Sequence, residues 1–247
     1  MKITFLGTSH GVPSYDRYCS CALIESGDAF YFIDAGAPVT DIIHRRGLDM
    51  RRFRAMFTTH AHADHTSGIP YLAGLINWYY KDCGADFYMT EQEMADAIEN
   101  LIFASDTRFA VDKERVRLKV AREGLVYADE NIKVEYFPTY HMEIGKPSYA
   151  ILVTEGNKKV LFTGDMSHNV RKNDIPAIAF EGRVNSMICE MAHFNVDDLK
   201  PYLEKLKIND LYFNHVYPLK NYDDIEAIKN NYSFKIQTPR DNDSFEI

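Results

Sequence analysis

Residues 60 to 65 read His60-Ala61-His62-Ala63-Asp64-His65. Three imidazoles and one carboxylate fall within six residues, directly after an apolar, β-like run from Ala55 to Thr59. Imidazole nitrogens and carboxylate oxygens are the donors that hold zinc-class divalent cations. A strand ending in such a cluster presents it at the edge of a sheet, where metal and substrate can both reach it. A cluster this short also arises by chance on surface loops, so its weight depends on partners elsewhere in the chain.

Partners are present. His141 follows the strand-like run Ile132 to Phe137. Asp165 follows Val160-Leu161-Phe162 by way of Thr163 and Gly164, and His215 follows Leu211-Tyr212-Phe213 by way of Asn214. Asp34 closes the run Phe32-Ile33. Each is a ligand-type residue at a strand end. One histidine in such a place is more often structural. The whole set in one chain points to a metal centre.

The elements that must position these residues alternate between two periods. Strand-like segments are Ile3 to Leu6, Ala22 to Glu25, Phe30 to Ile33 and Phe53 to Thr59, with a hairpin signal at Gly27-Asp28. Helical spacing runs from Ser67 to Tyr80 and again from Glu91 to Ser105, the latter with Thr90 and Glu93 set out as a capping box. Further strands are read at Val116 to Val120, Ile132 to Phe137, Ser148 to Thr154 and Lys159 to Phe162, with Gly156-Asn157 turning the last pair. Ser186 to Cys189 and Leu211 to Phe213 complete the strands, and helices are read at Val196 to Lys207 and Asp223 to Asn230. Periodicity alone gives a mixed α and β chain, read as one domain over 1–247. The aromatic stretch Trp78 to Tyr88, with Phe103 and Phe109 after it, is read as core and helix packing.

The His-x-His-x-Asp-His pattern, followed in order by His141, Asp165 and His215, resembles the metallo-β-lactamase superfamily, and the resemblance runs from end to end of the chain. It implies an α+β fold, a four-layer αββα sandwich with two mixed β-sheets packed face to face and helices outside. Carried over residue by residue, it implies that His60, His62 and His141 bind a first metal. Asp64, His65 and His215 would bind a second, and Asp165 would bridge the two. Asp34 matches the superfamily's supporting acid, which orients ligands from behind. The set is complete. Position 62 is His where flavodiiron proteins have Glu, and 165 is Asp where some β-lactamases have Cys. Position 65 is His, where those enzymes lose a second-site ligand. The implied cofactor is a pair of divalent ions, zinc first, with manganese or iron equally suited to these donors. Two such ions lower the pKa of a shared water toward neutrality and stabilise charge on an attacked oxygen, which is metal-assisted hydrolysis. Asp64 would also accept a proton from that water.

The opening Phe5-Leu6-Gly7-Thr8-Ser9-His10-Gly11-Val12-Pro13, with Arg17 and Ser20 after it, resembles ribonuclease Z and related phosphodiesterases. Gly7 and Gly11 are expected to let this loop turn tightly beside the metals. Glu190-Met191-Ala192-His193 matches the place of that family's Glu-Ala-Thr-type segment, making His193 a catalytic candidate to protonate the leaving oxygen. His10 and His168 are candidates to line the pocket, and His44 is read as an ordinary surface helix residue. One departure matters. Ribonuclease Z usually holds tRNA with a long arm between its third and fourth motifs, and only 24 positions separate His141 from Asp165. The resemblance therefore implies a phosphodiesterase for a small phosphodiester or nucleotide-like ester, with tRNA and other nucleic acid disfavoured. A lactonase or other carboxylic ester hydrolase of the same fold is the rival, and a catalytically silent metal-binding module the remote one. Glyoxalase II would need a further helical domain, and only about thirty residues follow His215. A secreted β-lactamase would need an export signal.

Composition agrees. The chain has 247 residues, 46% hydrophobic and 26% charged, as in ordinary globular proteins. The net charge of −8 gives no generic attraction to a polyanion. The basic run of Arg45, Arg46, Arg51, Arg52 and Arg54 is read as a solvated face. Cys19, Cys21, Cys83 and Cys189 include no Cys-x-x-Cys pair and are read as reduced thiols of a cytoplasmic protein. No stretch approaches the roughly 20 apolar residues of a membrane span. A homodimer is expected from the resemblance alone.

Overall fold

The computed structural model describes residues 1–105, 110–142, 145–168, 170 and 174–247. Its first sheet contains β1 (Lys2–Gly7), β2 (Cys21–Ser26), β3 (Ala29–Ile33), β4 (Phe53–Phe57), β5 (Ala85–Met89) and β6 (Val116–Val120). The second contains β7 (Gly124–Ala128), β8 (Lys133–Pro138), β9 (Tyr149–Glu155), β10 (Lys158–Phe162), β11 (Ser186–Met191), β12 (Asp210–Val216) and β13 (Lys235–Gln237). A last strand, β14 (Ser244–Glu246), returns to the edge of the first sheet beside β1, so each sheet has seven strands. Both sheets are mixed. Antiparallel neighbours come first in each (β14 to β3, β7 to β10), and parallel ones follow (β3 to β6, β10 to β13).

The parallel pairs need crossovers, and helices supply all but that from β10 to β11, which carries a short 3₁₀ turn at Ala177–Phe180 among its described residues. The helices are α1 (Val39–Arg46), α2 (Ala63–Thr66), α3 (Ile69–Trp78), α4 (Gln92–Ser105), α5 (Val196–Leu203) and α6 (Lys220–Ile228). The side-chain alternation of β3 shows the layering. Tyr31 points into a core shared with Phe5, Phe57, Tyr136, Ile151 and Tyr212, drawn from both sheets. Its neighbours Phe30 and Phe32 point the other way, toward Ile43, Leu72 and Ile98 of α1, α3 and α4. On the far side, Leu161 and Phe213 pack with Leu199, Leu203, Ile225 and Ile228 of α5 and α6. Covering both faces leaves β3 and β5 fully buried. These layers are helix, sheet, sheet, helix, as the resemblance implies.

Several local readings change. Ala85-Asp86-Phe87-Tyr88-Met89 is a parallel strand that the sequence reading did not pick out, and its Phe87 and Tyr88 are core residues as expected. A strand covered on both faces shows no polar alternation, and Asp86 hides within it on Arg117 and Lys119. In the same aromatic stretch Trp78 and Tyr79 stand largely exposed, as does Phe103; Phe109 lies outside the described residues. The expected helix from Ser67 is preceded by the separate short helix α2, and α3 starts at Ile69 with Pro70 in its first turn. The capping box at Thr90 is not formed. The helix begins at Gln92, and the buried Thr90 hydroxyl has no hydrogen-bond partner among the described residues. A capping box does form at Asn195 and Asp198, at the start of α5.

Candidate metal centre

Strand direction gathers the site. Because β2 is antiparallel to both neighbours, β1, β3 and β4 point the same way. In the second sheet β8, β10, β11 and β12 likewise share one direction. The loops leaving their carboxyl ends carry His10, Asp34, His60, His62, His141, Asp165 and His193, and His215 sits near the end of β12. Ligand sites collect at such ends in sheets with helical crossovers.

The ligand-type atoms converge in two groups. His60, His62, His141 and Asp165 form one, and Asp64, His65, Asp165 and His215 the other, with donor atoms of each group within 4.8 Å of one another. In the first, the His62 Nδ1 atom is 3.1 Å from His60 Nε2 and 3.2 Å from His141 Nε2. Asp165 Oδ2 lies 3.7 Å from His60 Nε2 and 3.8 Å from His141 Nε2. In the second, His65 Nε2 is 3.4 Å from both Asp64 and Asp165, and His215 Nε2 is 3.4 Å from Asp165 and 3.9 Å from Asp64. Asp165 belongs to both groups. It is buried, as are His60, His65 and His215, whereas His62 is exposed and gives the site an open side.

A layer of hydrogen bonds aims these donors. Buried Asp34 accepts from Thr59 N (2.8 Å), from Thr59 Oγ1 (2.8 Å) and from His65 Nδ1 (2.7 Å). With its Nδ1 proton on Asp34, His65 turns the Nε2 lone pair inward. His141 is aimed in the same way by Nδ1 donation to the Met166 carbonyl at 3.1 Å. The turn after β3 permits this only because residue 36 is glycine. A Cβ there would lie 1.6 Å from the Asp64 carbonyl oxygen.

The electrostatics fit a cation. Burial alone would raise the Asp165 carboxyl, but the neighbouring imidazoles, His215 and His65 foremost, outweigh it and hold it well below the usual range. Burial drives His60 well below the ordinary imidazole value and lowers His141 too. His65 runs the other way: burial would lower it, but Asp165 and Asp34 outweigh that and raise it well above the ordinary value, so a metal would have to displace its Nε2 proton. His65 Nε2 is buried among two carboxylates with no hydrogen-bond partner among the described residues. Such an orphaned nitrogen calls for an explanation, and a divalent ion between it and the carboxylates supplies one.

His193 stands at the edge of this set, with Nδ1 3.9 Å from Asp165 Oδ2. Its Nδ1 donates to Glu190 Oε1 at 2.9 Å. Glu190 is buried at the end of β11 and also accepts from Met166 N (2.9 Å) and Ala192 N (2.6 Å). Burial would lower the His193 pKa, but the Glu190 hydrogen bond and charge outweigh it and push the ring up to about 8. Sequence reading quoted Glu190 without giving it this role; the signal was the Glu-x-x-His spacing. His168 is exposed, and its Nδ1 donates to the His193 carbonyl at 2.8 Å, so it steadies that loop. His10 lies near Asp64 and His215, whose charges act on it, and its ring centroid is 4.2 Å from that of Tyr217. Tyr217 was not singled out from the sequence. In the opening loop, Gly7 is required: a Cβ would sit 1.7 Å from the Cys19 carbonyl oxygen. Gly11 is not, since a Cβ there would meet Asp64 Oδ2 at an ordinary 3.5 Å. His44 is exposed on α1, 3.0 Å from the Tyr80 hydroxyl. The four cysteines are buried and unpaired. Among the described residues no helix is long and apolar enough to cross a membrane.

Comparison with known proteins places this geometry in a family. A model described as "Anti-Pycsar protein Apyc1" matches residues 1–234. Ribonuclease Z of Prochlorococcus marinus (strain NATL1A) is 26% identical over 159 residues, 63% of this chain and 49% of that protein. Ribonuclease Z of Anoxybacillus flavithermus is 29% identical over 158 residues, 63% of this chain and 48% of that protein. The chain thus spans about half the length of the curated relatives it matches. Among solved structures, the metallo-β-lactamase fold protein YhfI from Bacillus subtilis superposes with a TM-score of 0.78 at 18% identity, covering 100% of this chain and 99% of that one. The short form of human tRNase Z superposes with a TM-score of 0.75 at 18% identity, covering 100% and 99%. These likenesses establish the metallo-β-lactamase fold.

Proposed function

We propose that this chain, which belongs to the family of the anti-Pycsar protein Apyc1, is a phosphodiesterase that works with two divalent metal ions on a small phosphodiester such as a cyclic nucleotide. The observation that carries the reading is the buried carboxylate of Asp165, common to two groups of converging donors. His60, His62 and His141 would hold one ion, Asp64, His65 and His215 the other, and Asp165 both. When bound, the ions supply Lewis acidity and an activated water. Zinc is the first choice, with manganese or iron suited to the same donors.

The chain's own residues divide the remaining work. Asp34 fixes the tautomer of His65. Asp64 is only part-buried, and it accepts a proton on the open side of the site. His193, held by Glu190 through Nδ1, keeps Nε2 free to donate a proton to the leaving oxygen. A small substrate is favoured by the segment between His141 and Asp165, where the β9–β10 hairpin takes up most of the intervening residues. Four buried, unpaired thiols suit a reducing compartment, and we read the protein as cytoplasmic.

The test is hydrolysis of bis(p-nitrophenyl) phosphate and of nucleoside cyclic phosphates by protein reloaded with zinc or manganese. Asp64→Ala should keep its fold and lose turnover; an Asp64→Ala protein with unimpaired turnover would sink the mechanism. Protein holding two metals that attacks no phosphodiester would move the reading to carboxylic esters, lactones first.

A further inference from the structure

We infer that the ring pair His10–Tyr217 is a stacking wall for the planar base of a nucleotide-like phosphodiester. This rests on the phosphodiesterase reading and adds to it the part of the substrate that is recognised.

The two rings come from opposite sheets. His10 lies in the loop leaving β1, and Tyr217 follows β12, two residues after His215. Their centroids are 4.2 Å apart with the planes inclined by 36°. The pair borders the metal centre, because a Cβ on Gly11 would already lie 3.5 Å from Asp64 Oδ2. Tyr217 is nonetheless 48% exposed. A ring half in water contributes little to a core, yet the backbone beneath it is firmly held. Tyr217 N donates to the Met191 carbonyl at 3.0 Å. The Tyr217 carbonyl accepts at 2.8 Å from Nδ2 of the buried Asn221.

The opposite side is braced as firmly. Asp241 accepts from Thr8 N (2.9 Å), Thr8 Oγ1 (2.8 Å) and Tyr18 N (2.7 Å), which pins both ends of the loop that carries His10. The Arg17 guanidinium, on a side chain only 9% exposed, bonds the Tyr222 hydroxyl and so ties that loop to α6. Its second terminal nitrogen bonds Ser14 Oγ at 3.2 Å, within the same loop. What remains open is the half-exposed ring of Tyr217, backed by His10, on a rigid support beside the reacting centre. Every nucleobase has a π-face, and aromatic side chains bind it by stacking. Rigid support spares the ordering cost of building such a platform on binding.

The experiment compares kcat/KM of metal-loaded protein on a nucleoside 3′,5′-cyclic phosphate and on the same cyclic ribose phosphate lacking the base. The wild type should favour the base-bearing substrate by about tenfold or more, chiefly through KM. Tyr217→Leu should bring that ratio close to one, and Tyr217→Phe should retain it. His10→Ala makes the same prediction from the other ring, should Tyr217→Leu fail to fold. A wild-type ratio near one, or a ratio that survives the loss of either ring, overturns the wall while leaving the phosphodiesterase standing. If two-metal protein cleaves neither substrate, the phosphodiesterase reading is what fails. Calorimetric binding of a nucleoside monophosphate then decides the wall: binding kept by Phe and lost with Leu supports it, and no ring-dependent binding overturns it.

Discussion

Asp34→Asn keeps the shape of the side chain and exchanges one acceptor oxygen for an NH2 donor. Asp34 accepts three hydrogen bonds, from Thr59 N, Thr59 Oγ1 and His65 Nδ1. An amide has one oxygen to offer. With that oxygen on Thr59 N, the NH2 group faces His65 Nδ1 across 2.7 Å. The imidazole can then be satisfied only by accepting at Nδ1, which moves its proton to Nε2. Nε2 is the atom 3.4 Å from both Asp64 and Asp165, and once protonated it cannot bind a metal. Losing an orienting partner of this kind typically weakens metal binding by about 10- to 100-fold, or about 1.4–2.8 kcal/mol. The first group of donors touches Asp34 only through the Thr59 hydroxyl, 3.1 Å from His60 Nδ1. The expected result is therefore unequal: one equivalent of zinc held as in the wild type, the other weakened by that factor. Competition against a chromophoric chelator reads both equivalents, and a thermal melt of the metal-free protein checks the fold. An Asp34→Asn protein that takes up two equivalents with wild-type affinities would refute the tautomer argument.

Three further outcomes are expected. Metal should stabilise the fold, since a ligand at 100 times its Kd adds about 2.7 kcal/mol; a melting temperature unmoved by zinc and by chelator would count against the centre. His193→Ala should slow turnover by about 10²- to 10⁴-fold. The loss should be largest for alkyl leaving groups and smallest for p-nitrophenolate, and equal losses for the two would remove His193 from proton donation. Gly36→Ala drives a Cβ into the Asp64 carbonyl. It should destabilise the protein by about 1–3 kcal/mol in urea melts and lower metal uptake, and unchanged values would mean the β3 turn is softer than drawn.

Much of the site was legible because ligand chemistry is written in residue type. His60, Asp64 and Asp165 are as recognisable in a sequence as in a structure. What converges on what came from the family resemblance alone, since residue type and period do not carry it. His62 and His141 are 79 positions apart, and their rings meet at 5.0 Å only because β4 and β8 end at the same edge of two facing sheets. The supporting partners were harder still. Thr59 and Glu190 act through hydrogen bonds that leave no periodic trace, and Tyr217 stands out by exposure, which no residue type announces. Among the elements, alternation exposed the hairpins but failed at β5, where both faces are buried and the one charge is cancelled inside the protein. The short edge strands β13 and β14 carry too few residues for any period to register.

The two donor groups also explain why the sandwich is built as it is. The first takes His60 and His62 from the first sheet, and His141 and Asp165 from the second. The second takes Asp64 and His65 from the first sheet, and Asp165 and His215 from the second. Neither sheet holds a complete set, so the centre exists only while the two sheets are in register. That register is set by the apolar layer between them, where Phe5, Tyr31 and Phe57 interlock with Tyr136, Ile151 and Tyr212. A substitution in that layer therefore acts on the site at a distance: close packing transmits a shift of one sheet straight to donor atoms that must meet within an ångström or so. The same seam carries the contact between His10 and Tyr217, one ring from each sheet. The convergence of the donor atoms and the packing of the core are two consequences of one interface.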